Sequence, residues 1–444
     1  MASNFKVIIV GGGPVGLTAA HALHQAGIDF VVLERRETLF NDEGASLVVS
    51  PPTLRLMHQL GLLSSVRSIG ADIQRVKSFD LAGHRFAHHL GIFDAMKKNH
   101  GAAPMAFHRA ELVEAFHHGL PADAKAKVLT GKKIVDMASD DAGVRVTCAD
   151  GTAYSGSLIL GADGVHSQTR RFMRRLALAA DPTADWEPEE PFPAEYRCMW
   201  CSFPRPGEAG LGTDTQHKDR STMYLSGKDR AWIFLYEKLP EKTAQRARYT
   251  GKDIEEYAAK FADFPIDDKL YVRDVFDKST AGMANLEEGV AKHWSWGRMV
   301  LVGDACHKVT PNAGRGYNNG AQDVVALANR LQGALRSSAD GTLDNATLAG
   351  LFDDYQRTRT EAMQSDASIS AHVTRLHAWS NTLYYIFARH IAPWGFVQRY
   401  IQNQLSAPQI AKSLILDYVP AEEPLKGSVP WEHPMPSVPL SNKV

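Results

Sequence analysis

Cysteine is scarce in this chain. Four cysteines in 444 residues (Cys148, Cys198, Cys201 and Cys306) are too few to staple a chain of this length. A disulfide scaffold is excluded, and a reducing, cytoplasmic compartment is expected. Cys198-Met-Trp-Cys201 has C-x-x-C spacing, but no second pair accompanies it. No His/Cys/Asp cluster has metal-ligand spacing either, so no metal is expected. The surrounding YRCMWCSF reads as a strand, on which residues three apart face opposite sides, so two buried thiols are expected. An excess of one charge is missing too. Forty-nine Lys and Arg against 50 Asp and Glu give a formal net charge of −1. That balance offers no electrostatic footprint for nucleic acid. Long apolar runs are also absent. None reaches the roughly 18 residues of a membrane span. The nearest, 383–397, is broken by Arg389, His390 and Pro393. Its aromatic residues and arginines suit a lid or a peripheral contact with an intracellular membrane, and packing on the nucleotide-binding domain is the favoured reading. No cleaved signal is expected at 5–10, a short run followed by a loop the fold needs. Residues 442–444 match no retrieval signal.

What is present is an ordinary globular balance, 44% hydrophobic and 22% charged, enough for a large core. The run FKVIIV at 5–10 reads as a buried strand, 15–26 as an apolar helix stopped by Gly27, and FVVL at 30–33 as a second strand. Strand, helix and strand in that order open a doubly wound α/β sheet. Helices are expected at 52–61, 109–118, 253–261 and 319–335. The stretches 128–136 and 144–148 read as antiparallel strands, and 158–160 and 299–302 as buried ones. Segment 181–193 is rich in proline and acid and reads as a surface loop. From Tyr196 to about Phe276 the pattern is that of a half-buried sheet. The expected organisation is therefore discontinuous. Residues 1–75, 105–180 and 290–340 form a nucleotide-binding domain, 76–104 and 181–289 a sheet-rich substrate domain, and 341–444 a helical C-terminal region.

Three motifs carry chemistry. Gly11-Gly-Gly13-Pro-Val-Gly16 follows the first strand. Glycines there permit the tight turn, the approach of backbone to a pyrophosphate and close helix packing, while the helix N-terminus favours the anion. Glu34 ends the second strand and can accept from both ribose hydroxyls. Arg35 and Arg36 beside it suit a 2′-phosphate, but the acid argues against one. The second motif is Gly161-Ala-Asp163-Gly164-Val-His-Ser167. The third is Gly303-Asp304-Ala-Cys-His307, continued by Pro311-Asn-Ala-Gly314-Arg-Gly316-Tyr317-Asn318, a loop that opens a long helix. His307 reads as a structural residue that orients this loop.

Taken together and in this order, the motifs resemble the aromatic-hydroxylase class of flavoprotein monooxygenases. Its fold is that of p-hydroxybenzoate hydroxylase: a Rossmann-like FAD-binding domain with an inserted sheet-rich domain. The details resemble fungal epoxidases and hydroxylases of meroterpenoid and prenylated-indole pathways, through PFPAEYR at 191–197, GDACHKVTPN at 303–312 and HVTRLHAW at 372–379. The resemblance implies that Gly11, Gly13, Gly16, Glu34 and Arg35 bind the ADP half of FAD. Asp163 would lie near the pyrophosphate and Asp304 at the ribityl chain. Pro311, Gly314, Gly316 and Tyr317 would line the isoalloxazine, which Ala45 and Val48 would pass along. Arg109 would contact the cofactor. Tyr317 stands where the family often has a small residue, and Arg315 could bring a positive charge near the flavin.

A single G-x-G-x-x-G implies that NAD(P)H binds transiently and that no second dinucleotide domain exists. The resemblance further implies oxygen transfer from O2 to a small apolar substrate through a flavin C4a-hydroperoxide. Arg197 and Tyr224, on expected strands of the inserted sheet, are candidate catalytic residues at the substrate, Arg197 as a general acid. The competing readings are a reductase or oxidase on the same fold and a non-catalytic flavin-binding regulator.

Overall fold

A computed structural model describes residues 5–89 and 91–437; the 442–444 segment lies outside them. The chain opens with strand Lys6–Val10, helix Pro14–Gln25 and strand Asp29–Leu33. Val7, Ile8 and Ile9 are fully buried, as a strand covered on both faces must be. Proline stands at the start of the helix, where its missing N–H costs nothing.

These strands belong to a six-stranded sheet in the order 295–296, 299–301, 158–161, 6–10, 29–33, 128–129. All neighbours are parallel except the 295–296 edge. Strands far apart in sequence thus meet in one sheet, and their C-terminal ends carry the three motifs. One expectation is corrected here. Residues 128–136 are not one strand, because Val128–Leu129 joins the parallel sheet while Ile134–Ser139 pairs antiparallel with Val144–Cys148. Lys132 and Lys133 fall at the break and line a cavity.

A second, seven-stranded sheet runs in the order 282–287, 194–204, 230–243, 220–226, 211–217, 75–80, 85–89. The 75–89 hairpin docks on its edge through a parallel pairing with 211–217. Alternation gives the sheet two different faces. One carries Met199, Cys201, Tyr224 and Leu235 and packs with Tyr257 and Phe261 on the helix Gly251–Ala259 side. The other carries Cys198, Leu225, Trp232, Phe234 and Tyr236. It meets Val48 and Ala106 of the small sheet formed by 46–49, 105–108 and 71–72. Cys198 and Cys201 lie on opposite faces, and all four cysteines are free and buried.

Helix Asn345–His377 packs along helix Gly316–Ser337. Short helical turns follow, two of them π-helical. They rest mainly on the 75–100 segment, not on the nucleotide-binding domain as expected. Arg389 reaches Asp80 at 2.8 Å, Gln398 reaches His89 at 2.8 Å, and Asn99 reaches Asn403 at 2.9 Å. The chain then returns to the first helices. Gln59 bonds the Leu416 and Val419 carbonyls, Tyr418 donates to the Ala22 carbonyl, and Arg55 is held by Glu423 under the Trp431 ring.

Candidate active site

The first βα turn is shaped for a ligand. Gly11 has a φ of +107°, which a side chain rarely adopts, and a Cβ there would press on the Ala162 carbonyl oxygen. A Cβ at Gly16 would collide with the Gly11 carbonyl oxygen. A Cβ at Gly13 would meet nothing within 4 Å, so this glycine faces open space. Glu34 is pinned at the rim. One carboxylate oxygen accepts from the Gly12 N–H at 2.8 Å and the other from the Arg36 N–H at 3.0 Å. Its remaining lone pairs are free to accept from a diol.

The open space is a cavity of about 540 Å³ that runs from Glu34, Arg35 and Lys132 past Gly13 and Gly164 to Asp304 and Pro311–Tyr317. At the far end Asn318 joins two of its walls. The Asn318 amide oxygen accepts from the Ser50 N–H, the Ser50 hydroxyl and the Thr53 hydroxyl at 2.9, 2.8 and 2.7 Å. Its amide nitrogen donates to the carbonyls of Val48 and Gly314 at 2.8 and 2.7 Å. Strand Ser46–Val49 is thereby fixed against the Gly314 turn, whose φ of +63° suits glycine. Tyr317 fills the base of the cavity, its hydroxyl 3.0 Å from that of Thr18. Arg315 is ion-paired with Asp366, which Asn319 also holds at 2.9 Å. The charge it brings to the cavity is therefore compensated. Asp304 is paired with Lys308, another lining residue.

Two expected residues make further contacts within the protein. Asp163 borders the cavity, but its oxygens accept from the Ser167 hydroxyl and from the N–H and hydroxyl of Thr169. It ties down the start of helix Gln168–Ala180. Burial raises its pKa, and these hydrogen bonds oppose the rise. Ala45 does not line the cavity; its carbonyl accepts the Arg109 N–H at 3.0 Å. Arg109 does line it, with its guanidinium held 2.8 Å from Glu43.

The catalytic assignment of Arg197 and Tyr224 is corrected by the register of the sheet. Arg197 lies opposite Glu237, and Tyr224 opposite Ile233. Both belong to the face turned away from the cavity. Arg197 donates through Nε to Glu237 at 3.0 Å and sits over the Tyr257 ring. Tyr224 packs beside Phe203. The residues that the sheet presents to the cavity are Met223, Leu225 and Phe234. Sequence reasoning missed them, together with Lys132, Lys133 and the Asn318 bridge. The signal for Met223 and Leu225 was strand parity alone: they flank Tyr224 and must point the other way.

Cys306, His307 and Asp323 gather within 4.8 Å in the core. Asp323 is already hydrogen-bonded there through both oxygens. It accepts from His307 Nε2 at 2.5 Å, the Gly303 N–H at 2.9 Å and Arg359 Nε at 2.8 Å. Burial would raise its pKa, but His307 and Arg359 hold it down to about 2. The cluster is a charged brace beneath the Asp304 turn.

A parallel sheet with a glycine turn, a ribose-type carboxylate and an elongated cleft ending under a second sheet defines a dinucleotide-binding oxidoreductase. Residues 4–365 match the FAD binding domain family, and the chain belongs to it. It is 34% identical to the FAD-dependent monooxygenase spyC of Aspergillus fumigatus over 91% of this chain and 86% of the relative. It is 32% identical to the FAD-dependent monooxygenase ausM of Penicillium brasilianum over 88% and 83%. Among solved structures, Klebsiella pneumoniae HpxO complexed with FAD and uric acid superposes with a TM-score of 0.70 at 21% identity, covering 92% of this chain and 97% of that one. The protein is an FAD-dependent monooxygenase, an oxidoreductase of the p-hydroxybenzoate hydroxylase fold.

Proposed function

We propose that the protein uses NAD(P)H and O2 to epoxidise or hydroxylate a small apolar natural product: a prenylated indole alkaloid, a terpenoid or a phenol. The observation that carries this reading is the wall facing the Gly314 turn. Met223, Leu225 and Phe234 present apolar surface where a substrate would lie against the reacting ring. The fungal relatives support a role in secondary metabolism. The balance is simple. NAD(P)H, a proton, O2 and the substrate give NAD(P)+, water and a product carrying one added oxygen atom.

FAD fits the residues present. Gly13 leaves room for a pyrophosphate, Glu34 offers acceptors to a ribose, and Asp304 stands where a hydroxyl-bearing chain would pass. Gly11 and Gly16 shape the turn, and Arg35 and Arg109 border the same cleft. Val48, Pro311, Gly314, Gly316 and Tyr317 would enclose the flavin ring. Bound there, FAD supplies hydride acceptance and the reaction with O2. The protein does the rest. The N-terminus of helix Gly316–Ser337 borders the cavity, and its N–H groups and dipole would favour negative charge on a ring held there. Asn318 holds the two walls at a fixed spacing. The apolar sheet face excludes water from the reacting atoms.

The test is anaerobic reduction of the FAD-loaded enzyme by NADPH or NADH, followed by turnover of candidate substrates in isotopically labelled O2. The expected product carries one labelled oxygen. A product without labelled oxygen refutes oxygen transfer: a substrate reduced at the expense of NAD(P)H makes the enzyme a reductase, and a substrate oxidised with O2 converted to peroxide makes it an oxidase.

A further inference from the structure

Thirteen large apolar side chains stand exposed among the described residues, and ten of them lie between Leu383 and Leu405. Leu383 is 77% exposed, Trp394 57%, Phe396 58% and Tyr400 60%. Single exposed apolar residues are ordinary, but a contiguous band marks an interaction surface. The inner side of the same run is anchored by Arg389 on Asp80 and Gln398 on His89. The band therefore belongs to the folded protein.

Between Asp366 and Asp417 the sequence holds no Asp or Glu, but it holds Arg375, Arg389, Arg399 and Lys412. Arg375 is paired with Glu195 and Glu288, and Arg389 with Asp80, which leaves Arg399 and Lys412 as the cations of this span that no acid from a neighbouring element holds. Beside the band opens a cavity of about 620 Å³. His88, Lys98 and Arg399 line it with the amides of Asn99, Gln398 and Asn403, and no carboxylate is among its lining residues. Asp94 is the one acid on the helix that carries Lys98, Gly91–His100.

We propose that the 383–405 face seats on the surface of an anionic lipid bilayer. The aromatic and aliphatic side chains enter the interface, and the cavity beside them takes a phosphate headgroup. Trp and Tyr suit that depth because each has an apolar ring and a polar edge. The cationic rim is attracted to anionic lipid. The contact is peripheral: no helix among the described residues is long and apolar enough to cross a membrane. A second copy is the poorer occupant, because a two-fold pairing through this face would bring its own cations together. The proposal does not depend on which substrate is oxygenated, and its readout is membrane binding.

The experiment floats the full-length, FAD-loaded protein with vesicles of phosphatidylcholine, with and without phosphatidylserine. The protein is expected to float with the anionic vesicles and to be released by salt. Trp394→Asp combined with Phe396→Asp should weaken that binding by at least about tenfold. Lys98→Gln combined with Arg399→Gln should reduce it to the level seen with neutral vesicles. Flavin absorbance reports that each variant is folded. Wild-type protein that ignores both vesicle types overturns the proposal, as does wild-type-like binding by both double variants. A dimer that Trp394→Asp with Phe396→Asp dissociates, in protein that does not float, assigns the face to a second copy instead.

Discussion

Replacing Asn318 by alanine should loosen the cleft where the flavin ring would lie. The side chain makes five hydrogen bonds at 2.7 to 2.9 Å. The Ser50 and Thr53 hydroxyls can rotate to other partners. The Ser50 N–H and the Val48 and Gly314 carbonyls cannot, because the backbone fixes them. Three stranded backbone groups at about 1 kcal/mol each come to roughly 3 kcal/mol, somewhat less where water reaches them. That energy holds the strand Ser46–Val49 against the Gly314 turn, so its loss falls on the binding-competent form of the cleft. The dissociation constant for FAD should rise by about 30- to 100-fold, at 1.4 kcal/mol per decade. Titrating apoprotein with FAD and following the quenching of flavin fluorescence measures it. Asn318→Asp keeps the acceptor and loses both donors, so it should show a loss of similar size. Asn318→Ala protein that binds FAD within threefold of wild type would refute the reasoning.

Glu34→Ala removes the acceptor of the Gly12 and Arg36 N–H groups. It should weaken FAD binding about 10- to 100-fold with little change in apoprotein Tm. Asp323→Ala leaves the Arg359 guanidinium buried without its counter-charge and His307 without its hydrogen-bond partner. About 3–5 kcal/mol of stability should be lost, read as a large drop in Tm or failure to accumulate. Arg197→Ala should leave product yield and coupling unchanged and cost about 1 kcal/mol, because Glu237 keeps Arg220; uncoupled turnover in this variant would contradict the register argument. Burial lowers the pKa of both His100 and His166 to about 4, and nearby arginines add to this at His166. Between that value and the ordinary 6.5 the unfolded chain binds more protons, so stability should fall as pH drops through this window. His100→Leu should flatten part of that fall in Tm measured from pH 7 to 4.5; an unchanged slope means His100 is not responsible.

The parallel sheet was legible because its strands are short apolar runs closed by glycine turns, and 5–10, 30–33, 158–160 and 299–302 all lie in it. The cofactor end was legible for the same reason. Gly13 and Glu34 carry a pattern that backbone geometry demands. The substrate wall was not. Arg197 and Tyr224 attract notice by their chemistry, but sheet parity decides which way they point, and parity shifts at the irregularity between Ala194 and Tyr196. Asn318 was hidden because four of its five bonds reach partners 265 to 270 residues away, and nothing local announces them. The break at Lys132–Lys133 was hidden because two adjacent strands of different sheets look like one run.

The return of residues 416–431 to the first helices has a consequence for how the enzyme is made. Tyr418 closes on the Ala22 carbonyl from 396 residues further along the chain. Arg55, whose side chain is fully buried in the finished fold, waits 368 residues for Glu423. During synthesis the N-terminal nucleotide fold therefore emerges before the segment that covers its flank and pairs Arg55. Its last contacts form only after residues 416–431 have been made. Such long closures are slow, and a nascent chain held open this way is a client for chaperones. Maturation of the holoenzyme is thereby timed by the arrival of residues 416–431.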